Sequence, residues 1–196
     1  MKKGTPETKQ FAAWSDEDLV REILRDGKSD LFGVLYDRYA NKVYGKCLSF
    51  FQDRDQAQDM VQEILVKAYS RLAAFRLESR FSTWLYAITY NYCVEQYRKN
   101  QRYPHQPVED DLVEPADEAR EESALLALQV DQLKYALEQI APEDKALLLM
   151  KYQDDMSIKD IMEQMGLQES AVKMRLSRAR NRVKEVVNRQ TGGRNG

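Results

Sequence analysis

One short acidic segment limits how this chain can fold, because it divides the chain into two parts. It covers residues 104–122 and reads PHQPVEDDLVEPADEAREE, with three prolines and eight acids. Proline interrupts helices and closely spaced like charges repel, so this composition favours an extended, solvated linker. Residues 1–103 carry a net charge of +3 and residues 128–196 a net charge of +2, although the whole chain stands at −2. We therefore predict two mildly basic domains on an acidic tether.

The composition predicts that both domains are helical. The 196 residues include only eight Gly and five Pro, and few segments show the alternation of apolar and polar residues that is typical of strands. Since 43% of the residues are hydrophobic, each part can bury a core. We predict an all-α fold of two small helical domains joined by a flexible acidic linker. Its predicted parts are a flexible N-terminus at 1–14, a first domain at 15–103, the linker at 104–120, a second domain at 121–190 and a flexible tail at 191–196.

Several classes of protein are excluded at this stage. No apolar run approaches the roughly 18 residues of a membrane span, and no apolar stretch follows the lysines of the N-terminal MKKGTPETKQ. We therefore expect a cytoplasmic protein without direct membrane insertion. Cys47, Cys93 and His105 are the only cysteines and histidine. This leaves almost no material for a zinc site or a His-containing catalytic triad, and we expect no metal and no cofactor.

The first domain divides into four helices by their start and stop signals. Ser15 suits the N-terminal cap of a first helix and Gly27 its end. Ser29 can begin the second helix, and Asp53 or Asp55 the third. The fourth, STWLYAITYNYCVEQYRKNQ, follows the loop RLESRF. Short connections between four amphipathic helices predict a small bundle.

The fourth helix combines aromatic rings with basic and amide groups. Its rings and the polar residues among them are Trp84, Tyr86, Tyr90, Tyr92, Tyr97, Asn91, Arg98, Lys99 and Arg102. Rings can stack on unpaired bases while cations follow the phosphates, so the pattern suits single-stranded nucleic acid. The alternative is that most of these rings only pack the bundle, and for any single ring the sequence favours that alternative.

The second domain contains a helix-turn-helix pattern. Ser157 with Asp160 three positions later marks a helix start, Gly166 ends that helix, and a new helix begins within residues 168–170. Two helices joined by a tight turn with Gly are typical of DNA-binding domains whose second helix enters the major groove. Many helical hairpins share this spacing, so the residues of the second helix have to show whether the hairpin binds DNA.

That second helix carries an excess of positive charge. Residues 168–189 hold seven basic residues against two acids, a net charge of +5. At about 100° per residue, one side forms an apolar stripe of Val172, Leu176, Ala179, Val183 and Val187. Cations flank the stripe on both sides, at Arg175, Arg178 and Arg182 and at Lys173, Arg180 and Lys184. The opposite face holds Ser170, Met174, Ser177 and Asn181. A solvated face would mix Glu with Lys, so this arrangement favours a helix between phosphates.

These segments together resemble the extracytoplasmic function (ECF) sigma factors, the smallest members of the sigma-70 family. Region 2 of that family is similar to LFGVLYDRYANKVYGKCLSFF, to DQAQDMVQEILVKAYSRLAAF and to FRLESRFSTWLYAITYNYCVEQYRKNQR. Region 4 is similar to IAPEDKALLLMKYQDDMSIKDIMEQMGLQESAVKMRLSRARNRVKEVV. Each segment alone is a weak indication of the family, but four such segments in this order around an acidic linker are a specific one. The resemblance implies a transcription initiation factor without a catalytic site.

The resemblance implies roles for residues of the first domain. The third helix would face the coiled-coil clamp of core RNA polymerase with Asp59, Gln62, Glu63 and Lys67. Without the family, a merely solvent-exposed side explains these four equally well. The loop at residues 76–81 would hold a base flipped from the non-template strand of the minus-ten element, and Asn91 would help to read that element. The residues implied in minus-ten binding are Arg76, Ser79, Arg80, Phe81, Trp84, Asn91, Arg98 and Arg102.

In the second domain, the resemblance implies that the basic helix reads the minus-thirty-five element. Its contact residues would be Lys173, Met174, Ser177, Arg178, Ser170 and Arg180, with Arg178 forming a bidentate contact to guanine. Three residues depart from the family pattern. Met174 replaces a small polar residue, Met162 a small Ala, and Ser170 a frequent Gly. These departures keep the motif but leave the promoter sequence open.

The implied partners are core RNA polymerase, duplex and single-stranded promoter DNA, and an anti-sigma factor, which can be membrane-anchored. A stand-alone helix-turn-helix regulator is the alternative, but it would leave the third and fourth helices unexplained. An enzyme with Mg²⁺ on Asp18, Glu22, Asp59 and Glu63 is a remote second alternative, because these acids form no repeated paired-acid motif.

Overall fold

The computed structural model describes residues 11, 13–51, 53–100 and 130–192. This part of the chain contains eight α-helices and no strand, as the composition predicted. It forms two compact units, divided between Glu95 and Gln96. The predicted linker, both domain ends that flank it, and residues 1–10 lie outside the described ranges. No helix in those ranges is long and apolar enough to cross a membrane.

The first unit contains helices α1 to α3 and most of α4, whose residues 96–100 lie beyond the division. Their bounds are α1 Asp16–Asp26, α2 Phe32–Phe51, α3 Arg54–Ser70 and α4 Phe81–Asn100, with short 3-10 turns at Ser29–Leu31 and Leu72–Ala74. The predicted caps are confirmed. The hydroxyl of Ser15 accepts the N–H of Asp18 at 3.1 Å, Gly27 ends α1 with φ 66°, and the Asp53 carboxylate caps α3. Ser29 begins a 3-10 turn rather than α2 itself, so α2 starts at Phe32.

The core of the first unit lies between α2, α3 and α4. The apolar side of α3 is buried, at Ala57, Val61, Ile64, Leu65 and Ala68. From α2 come Leu35 and Val43, and from α4 come Leu85 and Tyr90. Each large apolar side chain removed from water contributes about 1.5–3 kcal/mol before entropy is counted. The core therefore fixes which faces of α3 and α4 remain outside.

The second unit contains helices α5 to α8. They are α5 Val130–Gln139, α6 Pro142–Leu148 with a π turn at Leu149–Gln153, α7 Ile158–Met165 and α8 Glu169–Gly192. Pro142 occupies the first turn of α6, where its missing N–H costs no hydrogen bond. The predicted apolar stripe of α8 is confirmed, because all five of its residues are buried. This stripe packs α8 against α5, α6 and α7.

Both ends of α7 have the predicted geometry, including the turn that leads from α7 to α8. Ser157 and Asp160 form a reciprocal capping box, in which each side chain accepts the backbone N–H of the other residue at 3.1 Å. Gly166 adopts a left-handed conformation with φ 64°, and its N–H donates to the carbonyl of Met162. A residue with a Cβ would be strained at this φ, so glycine sets the turn that leads into α8.

Candidate nucleic-acid interface

The outer face of α8 presents most of the residues predicted to contact duplex DNA. Ser170, Lys173, Met174 and Ser177 follow the i, i+3, i+4, i+7 spacing of one helical face. The first three are exposed, and Ser177 and Arg178 are half-buried. Lys173 lies 2.9 Å from the Glu169 carboxylate in an ion pair on this face. The structure therefore brings five of the six predicted residues together.

Arg180, the sixth residue, lies elsewhere. Its side chain is only 5% exposed, and its guanidinium donates to the Tyr152 hydroxyl at 3.1 Å. Arg182 behaves similarly, since its guanidinium pairs with the Asp144 carboxylate on α6. Burial raises the pKa of Asp144, and the nearby charge of Arg182 opposes that shift. Two cations of α8 therefore hold the helix within its own unit.

The loop that was predicted to hold a flipped base is closed by aromatic rings. Residues 76–80 run between Phe75 and Phe81, whose ring centroids are 5.8 Å apart. Trp84 adds a third ring, 5.2 Å from Phe75 and 5.7 Å from Phe81. All three side chains are buried. Phe81 and Trp84 thus belong to a buried ring cluster where the loop ends. The exposed cations of the loop are Arg76 and Arg80, and Ser79 is half-buried.

Most rings of α4 also pack inside the unit. Tyr90 and Tyr92 are buried, and the buried Lys46 ammonium lies 3.9 Å from the centroid of the Tyr86 ring. The outer face of α4 instead exposes Asn91 and Arg98, which are seven residues apart and share one side of the helix. Arg102, also predicted to bind DNA, lies outside the described residues. Packing therefore accounts for these rings, as the alternative from the sequence proposed.

The predicted polymerase-facing residues divide into two pairs. Asp59 and Gln62 are exposed on the outer side of α3. Glu63 instead accepts a hydrogen bond from the Tyr92 hydroxyl of α4. Lys67 lies 5.1 Å from the centroid of the Tyr92 ring and 3.5 Å from the Glu95 carboxylate. The second pair therefore lies at the border between α3 and α4.

Sequence reasoning missed two apolar residues on the outer side of α3. Val66 is 68% exposed, and Tyr69 is 43% exposed with its ring 5.0 Å from that of Phe32. Val66 follows Asp59 by seven residues and therefore lies only about 20° from it around the helix. The same wheel that placed the polar residues could have shown Val66 among them. Exposed apolar side chains beside polar ones are typical of interaction surfaces.

Comparison with known proteins agrees with this arrangement of two units. The sequence profile of Sigma-70 region 2 matches residues 35–103, and that of Sigma-70 region 4 matches residues 130–183. The ECF RNA polymerase sigma-E factor of Haemophilus influenzae is 31% identical over 88% of this chain and 95% of its own length. The chain belongs to the ECF sigma factors of the sigma-70 family. A second relative of this ECF sigma factor, the RNA polymerase sigma-H factor of Pseudomonas aeruginosa, is 30% identical over 88% of this chain and 93% of its own length.

The fold of this ECF sigma factor is also found among solved structures. The sigma factor RpoE of Bartonella quintana, solved in complex with the anti-sigma factor NepR, superposes with a TM-score of 0.54 and 23% identity, covering 88% of this chain and 98% of that one. The region 2 match includes α3, the loop and α4, and the region 4 match includes the outer face of α8. Within the described residues, no group of three or more Cys, His, Asp or Glu side chains is placed to hold a metal ion.

Proposed function

We propose that this ECF sigma factor directs core RNA polymerase to promoters through two separate contacts with DNA. The observation that carries the proposal is the outer face of α8, where small, apolar and cationic side chains project from the second helix of a helix-turn-helix. An α-helix is about 10–12 Å across with its side chains, and the major groove is about 12 Å wide. The face of α8 therefore suits the groove, and the region 2 match supplies a second contact surface in the same chain.

The upstream contact would use α8 on the minus-thirty-five element. Arg178 can form a bidentate pair with the O6 and N7 atoms of a guanine. Met174, an exposed apolar side chain, suits the methyl group of a thymine. Lys173 would exchange its ion pair with Glu169 for a phosphate. Arg180 supports the helix through Tyr152 in this proposal rather than touching DNA.

The downstream contact would use the loop and the outer face of α4 on the melted minus-ten strand. The exposed guanidinium groups of Arg76 and Arg80 can bind phosphates, and Ser79 can hydrogen-bond to a flipped base. The buried rings of Phe81 and Trp84 would support the loop from the core of the unit. Asn91 and Arg98 continue along α4, and Arg102 would follow them.

The polymerase contact would use the outer side of α3. Asp59 and Gln62 can hydrogen-bond to the partner, and Val66 supplies apolar area at the centre of the same surface. Glu63 and Lys67 contribute at the edge, since both also contact α4. No catalytic group, metal or cofactor is part of this function, which takes place in the cytoplasm with the polymerase.

An anti-sigma factor, free or anchored to a membrane, is the regulator we propose. Its support is the solved relative, which was captured with the anti-sigma factor NepR. Such a partner would inhibit by covering the DNA-binding and polymerase-binding surfaces described above.

Reconstituted transcription tests the proposal. Purified protein and core polymerase are mixed with a library of promoter templates, and RNA start sites are compared with those from core polymerase alone. We expect new start sites that share two sequence elements, and a complex with core polymerase in size-exclusion chromatography. Absence of both results would contradict the proposal. Tight, sequence-specific binding of duplex DNA without polymerase would instead favour the stand-alone regulator.

A further inference from the structure

The first turn of α1 reaches across the unit to the start of α4. The Glu17 carboxylate accepts the backbone N–H of Phe81 at 2.9 Å, over a separation of 64 residues. This N–H belongs to the first turn of α4, where backbone donors have no partner within the helix. A carboxylate there is favoured by the hydrogen bond and by the positive end of the helix dipole. Glu17 therefore acts as a cap for a helix to which it does not belong.

The neighbouring Asp16 reaches the same place through Tyr39. Its carboxylate accepts hydrogen bonds from the Tyr39 hydroxyl and, at 2.5 Å, from the Arg38 guanidinium. The Tyr39 ring lies 5.4 Å from the Phe81 ring in an edge-to-face contact. Burial, and then the hydrogen bond to Asp16, raise the pKa of Tyr39, so the phenol keeps its proton and remains a donor.

Both connections end at the residues that close the loop. Residues 76–80 are held at one end by Phe75 and at the other by Phe81, and these two rings are in contact. Fixing the two ends of a short loop lowers the entropy that it loses when it binds a ligand. The backbone of Phe81 is fixed by Glu17 and its ring is supported by Tyr39. Helix α1 lies before the matched region 2 segment, which starts at residue 35.

We propose that Glu17 and Asp16 are positioning residues for the minus-ten loop. They hold Phe81 in place before DNA arrives, so that the loop meets the flipped base in a binding-ready shape. This inference rests on the function proposed above for residues 76–80. Neither acid belongs to the outer side of α3 or to α8. The two acids should therefore affect capture of the base without affecting contact with the polymerase or with the upstream element.

A test needs to separate positioning from general stabilisation of the unit, and two variants provide this. Glu17→Gln keeps an oxygen that can accept the Phe81 N–H, whereas Glu17→Ala removes it. Asp18→Ala is the matched control from the same turn of α1. The partners of Asp18 are Ser15 and Arg21, so its contacts stay within or beside α1.

The measurement is the affinity of each variant, assembled with core polymerase, for a forked promoter probe. The probe carries the upstream element as duplex and the minus-ten element as a single non-template strand, both taken from the selected promoters. In a second set of probes, each probe lacks one base of the minus-ten element. We expect Glu17→Ala to bind the complete probe about tenfold more weakly than the unchanged protein. Its affinity for the probe without the captured base should be unchanged.

The other variants complete the prediction. Glu17→Gln and Asp18→Ala should stay within about threefold of the unchanged protein on both probes. The inference is overturned if Glu17→Ala keeps its full preference for the complete probe, or if Asp18→Ala loses that preference equally. Should Glu17→Ala not fold, Glu17→Met takes its place under the same criteria. The proposed function itself fails in a different way, namely if the unchanged protein adds no affinity for the complete probe to that of core polymerase.

Discussion

Two arginines on α8 show how a difference of two residues changes the role of a side chain. Arg178 and Arg180 are separated by about 200° around the helix. Arg178 is half-buried beside the outer face, whereas Arg180 is buried against Tyr152. The helical wheel placed both beside the apolar stripe as equivalent cations. Only the partner from the π turn distinguishes them, and that partner is 28 residues away in sequence.

The first prediction separates the two DNA contacts at the level of single residues. Arg178→Ala should weaken binding to the upstream element by about 1–3 kcal/mol, because one bidentate pair with a base is lost. Asn91→Ala should leave upstream binding unchanged and slow promoter opening. Binding is measured on a duplex upstream probe with the polymerase complex, and opening by fluorescence of 2-aminopurine in the minus-ten element. Equal losses of duplex binding in both variants would contradict this division.

Arg180→Ala serves as the control for Arg178→Ala. It removes the partner of the Tyr152 hydroxyl and should lower the free energy of unfolding by about 1–3 kcal/mol.

A second prediction concerns the pH dependence of stability at Asp144. Its pKa is raised above the ordinary 3.8, mainly by burial, so the folded protein binds this proton more tightly than the unfolded chain does. Ionisation then favours unfolding, and the stability that the proton provides is lost as pH rises from about 3.8 to the raised pKa. Urea titrations at several pH values compare the protein with Asp144→Asn. The stability of the unchanged protein relative to the variant should fall through this window and then stay level. A relative stability that rises with pH would show that pairing with Arg182 outweighs burial.

At the scale of helices, features that depend on residues close in sequence were predictable, whereas contacts between distant residues were not. The caps at Ser15, Asp53 and Ser157 were predictable because their partners lie within three residues. The apolar sides of α3 and α8 followed from helical periodicity for the same local reason. Burial of the Phe81 ring was not predictable, because it depends on Tyr39 from α2 as well as on the nearby Phe75 and Trp84.

The candidate site divides in the same way. The exposed face of α8 followed from spacing alone. The hydrogen bond between Tyr92 and Glu63 joins two helices and has no signal in the sequence. Val66 is the exception, since helical spacing alone places it beside Asp59 on the exposed side of α3.

A third prediction tests the turn that orients α8. Gly166→Ala should destabilise the second unit by about 1 kcal/mol, because alanine is strained at φ 64° although no atom lies within 4 Å of the added Cβ. Gly45→Ala is the opposite control, since Gly45 lies inside α2 with equal space around it. It should stabilise the first unit by about 0.5–1 kcal/mol. Both tryptophans, Trp14 and Trp84, belong to the first unit. Tryptophan fluorescence therefore follows Gly45→Ala, and far-ultraviolet circular dichroism follows Gly166→Ala.

At the scale of the whole molecule, the proposed function uses two DNA-binding units in one chain. Neither unit needs to bind DNA tightly, because a tether turns the second contact into an intramolecular step. The gain depends on the length of the predicted linker at residues 104–120 and requires no contact between the units.

A fourth prediction follows from that dependence. A linker about three times as long should lower the effective concentration of the second unit roughly fivefold. We expect this loss on promoter probes that contain both elements, measured as affinity of the polymerase complex. Probes with only one element are the control and should bind as before. Unchanged affinity for both kinds of probe would argue against a flexible tether.

The closure of residues 76–80 has a consequence for how such proteins diverge. The five residues lie between the contacting rings of Phe75 and Phe81. The residues that hold these rings in place lie in α1, α2 and α4. We expect substitutions inside the loop that spare Leu77, whose φ is 60°, to leave these ring contacts and the folded unit intact. We expect these residues to be exchangeable between sigma factors. Replacing them with the corresponding residues of another sigma factor should transfer the base preference of that sigma factor, with no change elsewhere in this chain.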